Sequence, residues 1–183
     1  MTTATALSRS PATPRTARSV AMDYPPLVRW GLIASATIIS VMALAAVGRA
    51  MLGLAPEHSS WKSLAVMIHV ITVVPAAPLG LYILIARKGS PLHKQLGRIW
   101  VMLMIVTAIS AIFIRHVNHG DFSLIHLFVP MTIIGAVRSV HAARTGRIDK
   151  HRFHLAGLYF GGLFLAGLFS FAGDRMMGAW LFG

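Results

Sequence analysis

Between Lys62 and Arg87 the chain runs from Ser63 to Ala86 without a single Asp, Glu, Lys or Arg. At about 1.5 Å per residue, a helix of that length crosses the ~30 Å hydrocarbon core of a bilayer. Four more apolar runs follow the same pattern, giving expected spans at about 30–48, 62–86, 92–115, 122–143 and 152–173. Composition agrees. Of 183 residues, 56% are hydrophobic and 12% charged, with mean hydropathy +0.69; a soluble domain carries roughly 25% charged residues. The expected fold is all-α: a polytopic transmembrane helical bundle of five spans, with a four-helix core formed by spans two to five. Residues 29–183 make one transmembrane domain behind a basic tail.

The formal charge is +12, a value that can signal nucleic acid. Here the basic residues sit in the gaps between apolar runs, so topology explains them and no nucleic-acid partner is expected. Residues 1–28 are rich in Thr, Ala, Ser, Pro and Arg and read as a disordered cytoplasmic tail. An Arg-rich, acid-poor transit peptide is the alternative. With five spans, one side holds this tail with Arg29, residues 87–98 and residues 138–152; it carries thirteen Lys or Arg against four on the other. The positive-inside rule then puts the N-terminus in the cytoplasm and the C-terminus outside, in a bacterial inner membrane. Trp30 and Trp100 are expected at the inner interface, Trp61 and Trp180 at the outer one.

Nine histidines accompany five carboxylates and no cysteine. Disulfides, cysteine-ligated iron–sulfur clusters and a Cys-x-x-Cys-His haem attachment are excluded. Imidazole is the chemistry left, and ionisable groups within a membrane span usually face protein or a cavity and mark function. In the fourth span His126, Pro130, Ile133, Val137 and His141 fall on one helical stripe, with the two imidazoles about 22 Å apart. His69 lies seven residues past Lys62, and His126 five past Asp121, so both sit about 8–10 Å below the outer boundary on parallel helices. Two imidazoles at one level can bind a haem iron or another metal from opposite faces. The face of His69 continues through Thr72, Val73, Ala76 and Gly80, small enough for a flat cofactor or for close helix packing. Pro130, four residues after His126, is expected to kink the helix beside it.

At the inner edge, His93 on span three and His154 on span five match in level and form a second candidate pair, with His141 as substitute. From His93 the same face passes Gly97, Trp100, Met104 and Thr107. From His154 it passes Gly157, Leu158, Gly161 and Leu165, a small-xxx-small pattern also suited to plain helix packing. Ser90-Pro91 reads as an N-cap and first-turn proline of span three, and Asp149 as a cap of span five. His58, His116 and His119 read as exposed loop residues. Arg115, His116, His119 and Asp121 could line an outer entrance with Asp174 and Arg175. No dinucleotide fingerprint, Walker loop, His-Glu-x-x-His or nucleophile elbow is present. The spans lack acids, which argues against a proton-coupled transporter, and no inverted repeat is evident.

Three segments carry a resemblance: Pro91-Leu-His-Lys-Gln-Leu-Gly-Arg98, Phe122-Ser-Leu-Ile-His-Leu-Phe128, and His151-Arg-Phe-His154 opening a Gly-rich helix that ends in Gly173-Asp-Arg175. With His69, Pro78 and Gly80, they resemble a family of predicted bacterial membrane proteins classed as a domain of unknown function (DUF2306), over about residues 60–176. That resemblance implies no activity. The layout also resembles di-haem b-type cytochromes of the ascorbate-reducible kind, in which four successive helices each give one histidine and pair alternately. It implies haem b, one or two, with His69 and His126 on the outer group and His93 and His154 on the inner one. Quinone or a redox partner, the lipid bilayer and a homo-oligomer are the partners in view. The alternative is a non-enzymatic small transporter or assembly subunit whose histidines hydrogen-bond between helices. Whether the chain is an enzyme stays open.

Overall fold

The computed structural model describes residues 24–115, 121–173 and 175–183. Most of the expected tail, together with His116, His119 and Asp174, lies outside the described residues. Helix α1 (Pro26–Met51) is followed by a 3-10 turn (Ser59–Lys62), α2 (Leu64–Ile85) and α3 (Pro91–Ala111). A second 3-10 turn (Leu124–Leu127) leads directly into α4 (Phe128–Arg144). The fifth span is continuous but changes winding: α5 (Ile148–Gly157), a π-helical stretch (Leu158–Leu165) and α6 (Ala166–Ser170). A short α7 (Met176–Phe182) ends the chain. The described residues are all-α, and five helical segments are long and apolar enough to cross a membrane.

Helix ends follow local chemistry more than the hydropathy edges did. Pro26 at the first position of α1 starts that helix four residues before the apolar run, since a proline there loses no helical hydrogen bond. Ser90 caps α3 by accepting from the His93 N–H at 3.1 Å, with Pro91 next. The expected cap Asp149 instead lies in the first turn of α5, and Arg147 holds the cap position. Pro130, expected to kink the helix beside His126, does not fall inside a helix that contains His126. His126 belongs to the 3-10 turn and α4 begins at Phe128, so Pro130 sits in the first turn, where its missing N–H costs nothing.

Spans two to five pack in sequence, α2 on α3, α3 on α4 and α4 on α5. Helix α1 joins them, lying against α2 and the π stretch, with α7 laid over its end. The tightest point is Gly80. A Cβ there would strike Tyr159 and would come within 2.6 Å of Trp100 Nε1. The two rings stack at 6.0 Å and 5°. Trp100 Nε1 donates to the Ala76 carbonyl at 2.9 Å and the Tyr159 hydroxyl to the Ala77 carbonyl at 2.8 Å, tying α3 and the fifth span to α2. Trp100 is thus a core residue, 2% exposed, and the expectation that it marks the inner interface is corrected. Its indole N–H found a carbonyl inside the bundle, so it had no need of the headgroup region. The outside of the bundle is apolar: Ile38, Val41, Ile71, Met102, Ile109, Ile134, Val137 and Phe169 are all exposed. Such a surface suits lipid and would not suit water.

Candidate functional site

Call the end bearing Arg87, Lys88, Arg147 and Lys150 the basic end, and the other the far end. At the far end lies a cavity of about 690 Å³, bounded by α1, α2, α3, α4, the π stretch and α7. His69, His126 and His58 all line it, with Met104, Thr132 and Arg175. The structure thus brings His69 and His126 to one enclosure, and adds His58, which had been read as an exposed loop residue. His58 is half-buried and caps the first 3-10 turn, its Nδ1 accepting from the Ser60 N–H at 3.3 Å.

Helix α3 orients the His69 ring. Its Nδ1 lies 3.0 Å from the Thr107 carbonyl oxygen and 3.2 Å from Ser110 Oγ. Ser110 in turn donates to the Thr107 carbonyl at 2.8 Å, and Thr107 Oγ1 donates to Thr72 Oγ1 at 2.8 Å. A carbonyl accepts only, so Nδ1 carries the proton and Nε2 keeps its lone pair. No protein group among the described residues engages that Nε2.

His126 reaches the cavity by a different route. The 3-10 turn folds its ring back on Ser123, where Nδ1 meets the Ser123 N–H at 3.1 Å, the Ser123 hydroxyl at 3.2 Å and the Ser123 carbonyl at 3.2 Å. Its Nε2 is buried with no protein partner. The edge of the Phe122 ring packs on the imidazole at 5.1 Å, and Arg115 lies 4.2 Å over the other ring. Arg115 and Arg175 are therefore at this end, as the sequence suggested for an entrance.

The family model described as Predicted membrane protein (DUF2306) matches residues 66–172, more than half the chain and all of these residues but His58, Ser60, Arg175, α1 and α7. The chain belongs to this family. No curated protein and no solved structure matches it. Among the described residues of this DUF2306 membrane protein, no three His, Asp or Glu side chains converge as a metal site.

The basic end of the DUF2306 bundle distributes its histidines otherwise. His93 and His154 share no hydrogen bond or ring contact among the described residues. His154 instead lines a pocket of about 410 Å³ with His141, Arg138, Arg147 and Lys150. His93 lies near Lys88 and His151, and its Nδ1 is buried without a partner. His151 Nδ1 bonds the hydroxyl and carbonyl of Ser139, each at 3.0 Å. Lys88 Nζ donates to the Ile83 and Leu84 carbonyls, both at 2.6 Å, closing the end of α2. Burial, and secondarily Arg152, push Lys88 down to about 8. Burial raises the Tyr24 hydroxyl, which donates to the Arg152 carbonyl at 2.7 Å.

Sequence reasoning did not assign the polar groups that aim the rings: Ser110, Ser123 and Ser139 were given no role, and Thr107 was placed on the His93 face although its carbonyl meets His69. The signal was present, since a hydroxyl inside an apolar span must bond something. The stripe through Pro130, Val137 and His141 turned out exposed, while Val129, Thr132, Ala136, Ser139 and Ala142 face the core.

Proposed function

We propose that this protein is a b-type haem protein of the membrane, in which His69 and His126 would hold the haem iron in the far-end cavity. One observation carries the reading. Two imidazoles from separate elements line a single, largely apolar cavity, each with Nδ1 held by the protein and Nε2 left free toward ligand. Metal-bound histidine characteristically has this form, its second nitrogen fixed by a carbonyl or similar group. His69 fits outright. His126 fits when its Nδ1–H donates to the Ser123 carbonyl. Haem would supply a one-electron carrier; the chain would exclude water from it and fix both rings. Electrons would pass along or across the bilayer to a quinone or redox partner. The basic end would face the cytoplasm of a bacterial inner membrane, by its charge excess.

A second reading rests on the Ser123 N–H, which at 3.1 Å from His126 Nδ1 favours the opposite tautomer. Nε2–H would then be a buried donor in an apolar cavity, suited to a carbonyl-bearing lipid-soluble ligand such as a quinone.

The test is the visible spectrum of detergent-purified protein, as isolated and after dithionite, with haem content measured separately. Sharp α and β bands on reduction, mostly lost in His126→Ala and in His69→Ala while the helical circular dichroism is retained, are expected. A featureless spectrum from folded protein incubated with haem would overturn the reading. Extractable quinone in that protein would select the second one, and its absence would leave a transporter or assembly subunit.

A further inference from the structure

The pocket at the basic end is built by one tight corner. Gly146, at φ 71°, ends α4 in a left-handed turn, and the Arg147 N–H returns to the Ala142 carbonyl at 2.9 Å. Helix α5 starts at the next residue, so Arg147 is folded back over the last turn of α4. Its Nη2 lies 3.1 Å from His141 Nε2 and its Nε 3.1 Å from Thr145 Oγ1. Guanidinium only donates, so His141 Nε2 is an acceptor here and carries no proton on that nitrogen. That arrangement spends the His141 nitrogen on Arg147, not on a metal.

Arg138, Arg147 and Lys150 thus surround a hollow of about 410 Å³ with His141 and His154. Among the described residues, no carboxylate pairs with any of the three cations. The nearest acid in sequence, Asp149, is fully exposed and approaches Arg152 at 3.9 Å. Three converging cations without a counter-charge call for an anion, and a fixed guanidinium suits phosphate. The same face of α4 then runs into the apolar zone through Val137 and Ile134, both exposed. A polar head and a hydrocarbon track are contiguous.

We propose that this corner binds the phosphate of an anionic phospholipid, with an acyl chain lying along Val137 and Ile134. Basic pockets between helices at the cytoplasmic edge take such headgroups. The proposal is independent of whether the far-end cavity holds haem. Its test is thermal unfolding of the detergent-solubilised protein with phosphatidylglycerol, with phosphatidylcholine and with inorganic phosphate. Phosphatidylglycerol is expected to raise the midpoint by several degrees, phosphatidylcholine not at all, and phosphate alone far less. Arg147→Gln should lose most of the increment. Lys150→Gln, on an exposed helical position, should weaken it by about half without disturbing the corner. Equal gains from phosphate alone would make this a free-anion site and overturn the lipid assignment. Equal gains from both lipids, or gains that survive both substitutions, would overturn it too.

Discussion

The two ends of the bundle use the same side chain for opposite chemistry. At the far end His69 and His126 line a mostly apolar cavity in which Arg175 is the one lining Lys or Arg among the described residues, each Nδ1 committed to Thr107 or Ser123. At the basic end His93, His141, His151 and His154 stand among Lys88, Arg138, Arg147, Lys150 and Arg152. The far-end nitrogens are free toward a neutral or metal-bearing ligand. At the basic end, His151 is occupied by Ser139 and His141 by Arg147. Histidine within a membrane span therefore does not define a site; what holds its second nitrogen and what charge surrounds it do.

Gly80 lies between the two ends, and breaking the core there should erase the difference between them. In Gly80→Leu the side chain has nowhere to go but into the stacked Tyr159 and Trp100 rings, displacing their bonds to the Ala77 and Ala76 carbonyls. Overpacking of this kind costs ~1–3 kcal/mol or more. At about 2–4 °C per kcal/mol, the upper end of that range, ~3 kcal/mol, lowers the midpoint by about 6–12 °C. Scanning fluorimetry in detergent reads this directly. A midpoint within about 2 °C of wild type would mean the rings are not the clamp that holds α2, α3 and the fifth span together.

How far this was legible in sequence differs by level. The five spans were, because a run such as Ser63–Ala86 leaves a chain few alternatives. That His69 and His126 could reach one cavity was also legible, since helical rise converts residue count into depth. Rotation about the helix axes was not. His154 faces the Arg147 corner, with His141 there in place of His93, because side-chain packing sets the angle at which each helix presents its faces. The 3-10 turn at Leu124–Leu127 and the π stretch at Leu158–Leu165 were invisible for a related reason. Both differ from α-helix by one residue in hydrogen-bond register, which hydrophobic periodicity over so few residues does not resolve. Trp100 was misplaced because an aromatic near a helix start suits an interface and a core equally; only the Ala76 carbonyl decided it.

A narrower substitution separates the far end from the rest. Arg49, at the end of α1, holds α7 through Nε to the Trp180 carbonyl at 3.0 Å and Nη2 to the carbonyls of Leu54, at 3.1 Å, and Gly183. Met176 and Met177 of α7 line the cavity, so this arginine keeps one wall in place. Arg49→Ala removes charge-assisted bonds worth ~1.5–3 kcal/mol. Amide exchange across Met176–Phe182 should accelerate about 10- to 150-fold, with no change at the basic end. Acceleration shared by α4 and α5 would mean the two ends are not independently held.

The mildest test acts on the basic end through Lys88. Folded, it releases its proton near pH 8; unfolded, near its ordinary 10.5. Between those values the unfolded chain binds more protons, so stability rises with pH across that window and is flat below it. The cause is burial, with Arg152 adding repulsion, and the two carbonyl bonds to Ile83 and Leu84 remain available to the neutral amine. Lys88 is partly exposed, so screening limits the effect to about 1–2 °C in midpoint. Lys88→Gln should abolish the rise between pH 8 and 10 and leave the far-end response to Arg49→Ala unchanged. A wild-type midpoint that instead falls across that interval would show that the end of α2 stabilises the charged amine more than burial penalises it. The basic end would then hold its cations by the carbonyls of its helices, and the case for a missing anion would shrink to the Arg147 corner alone.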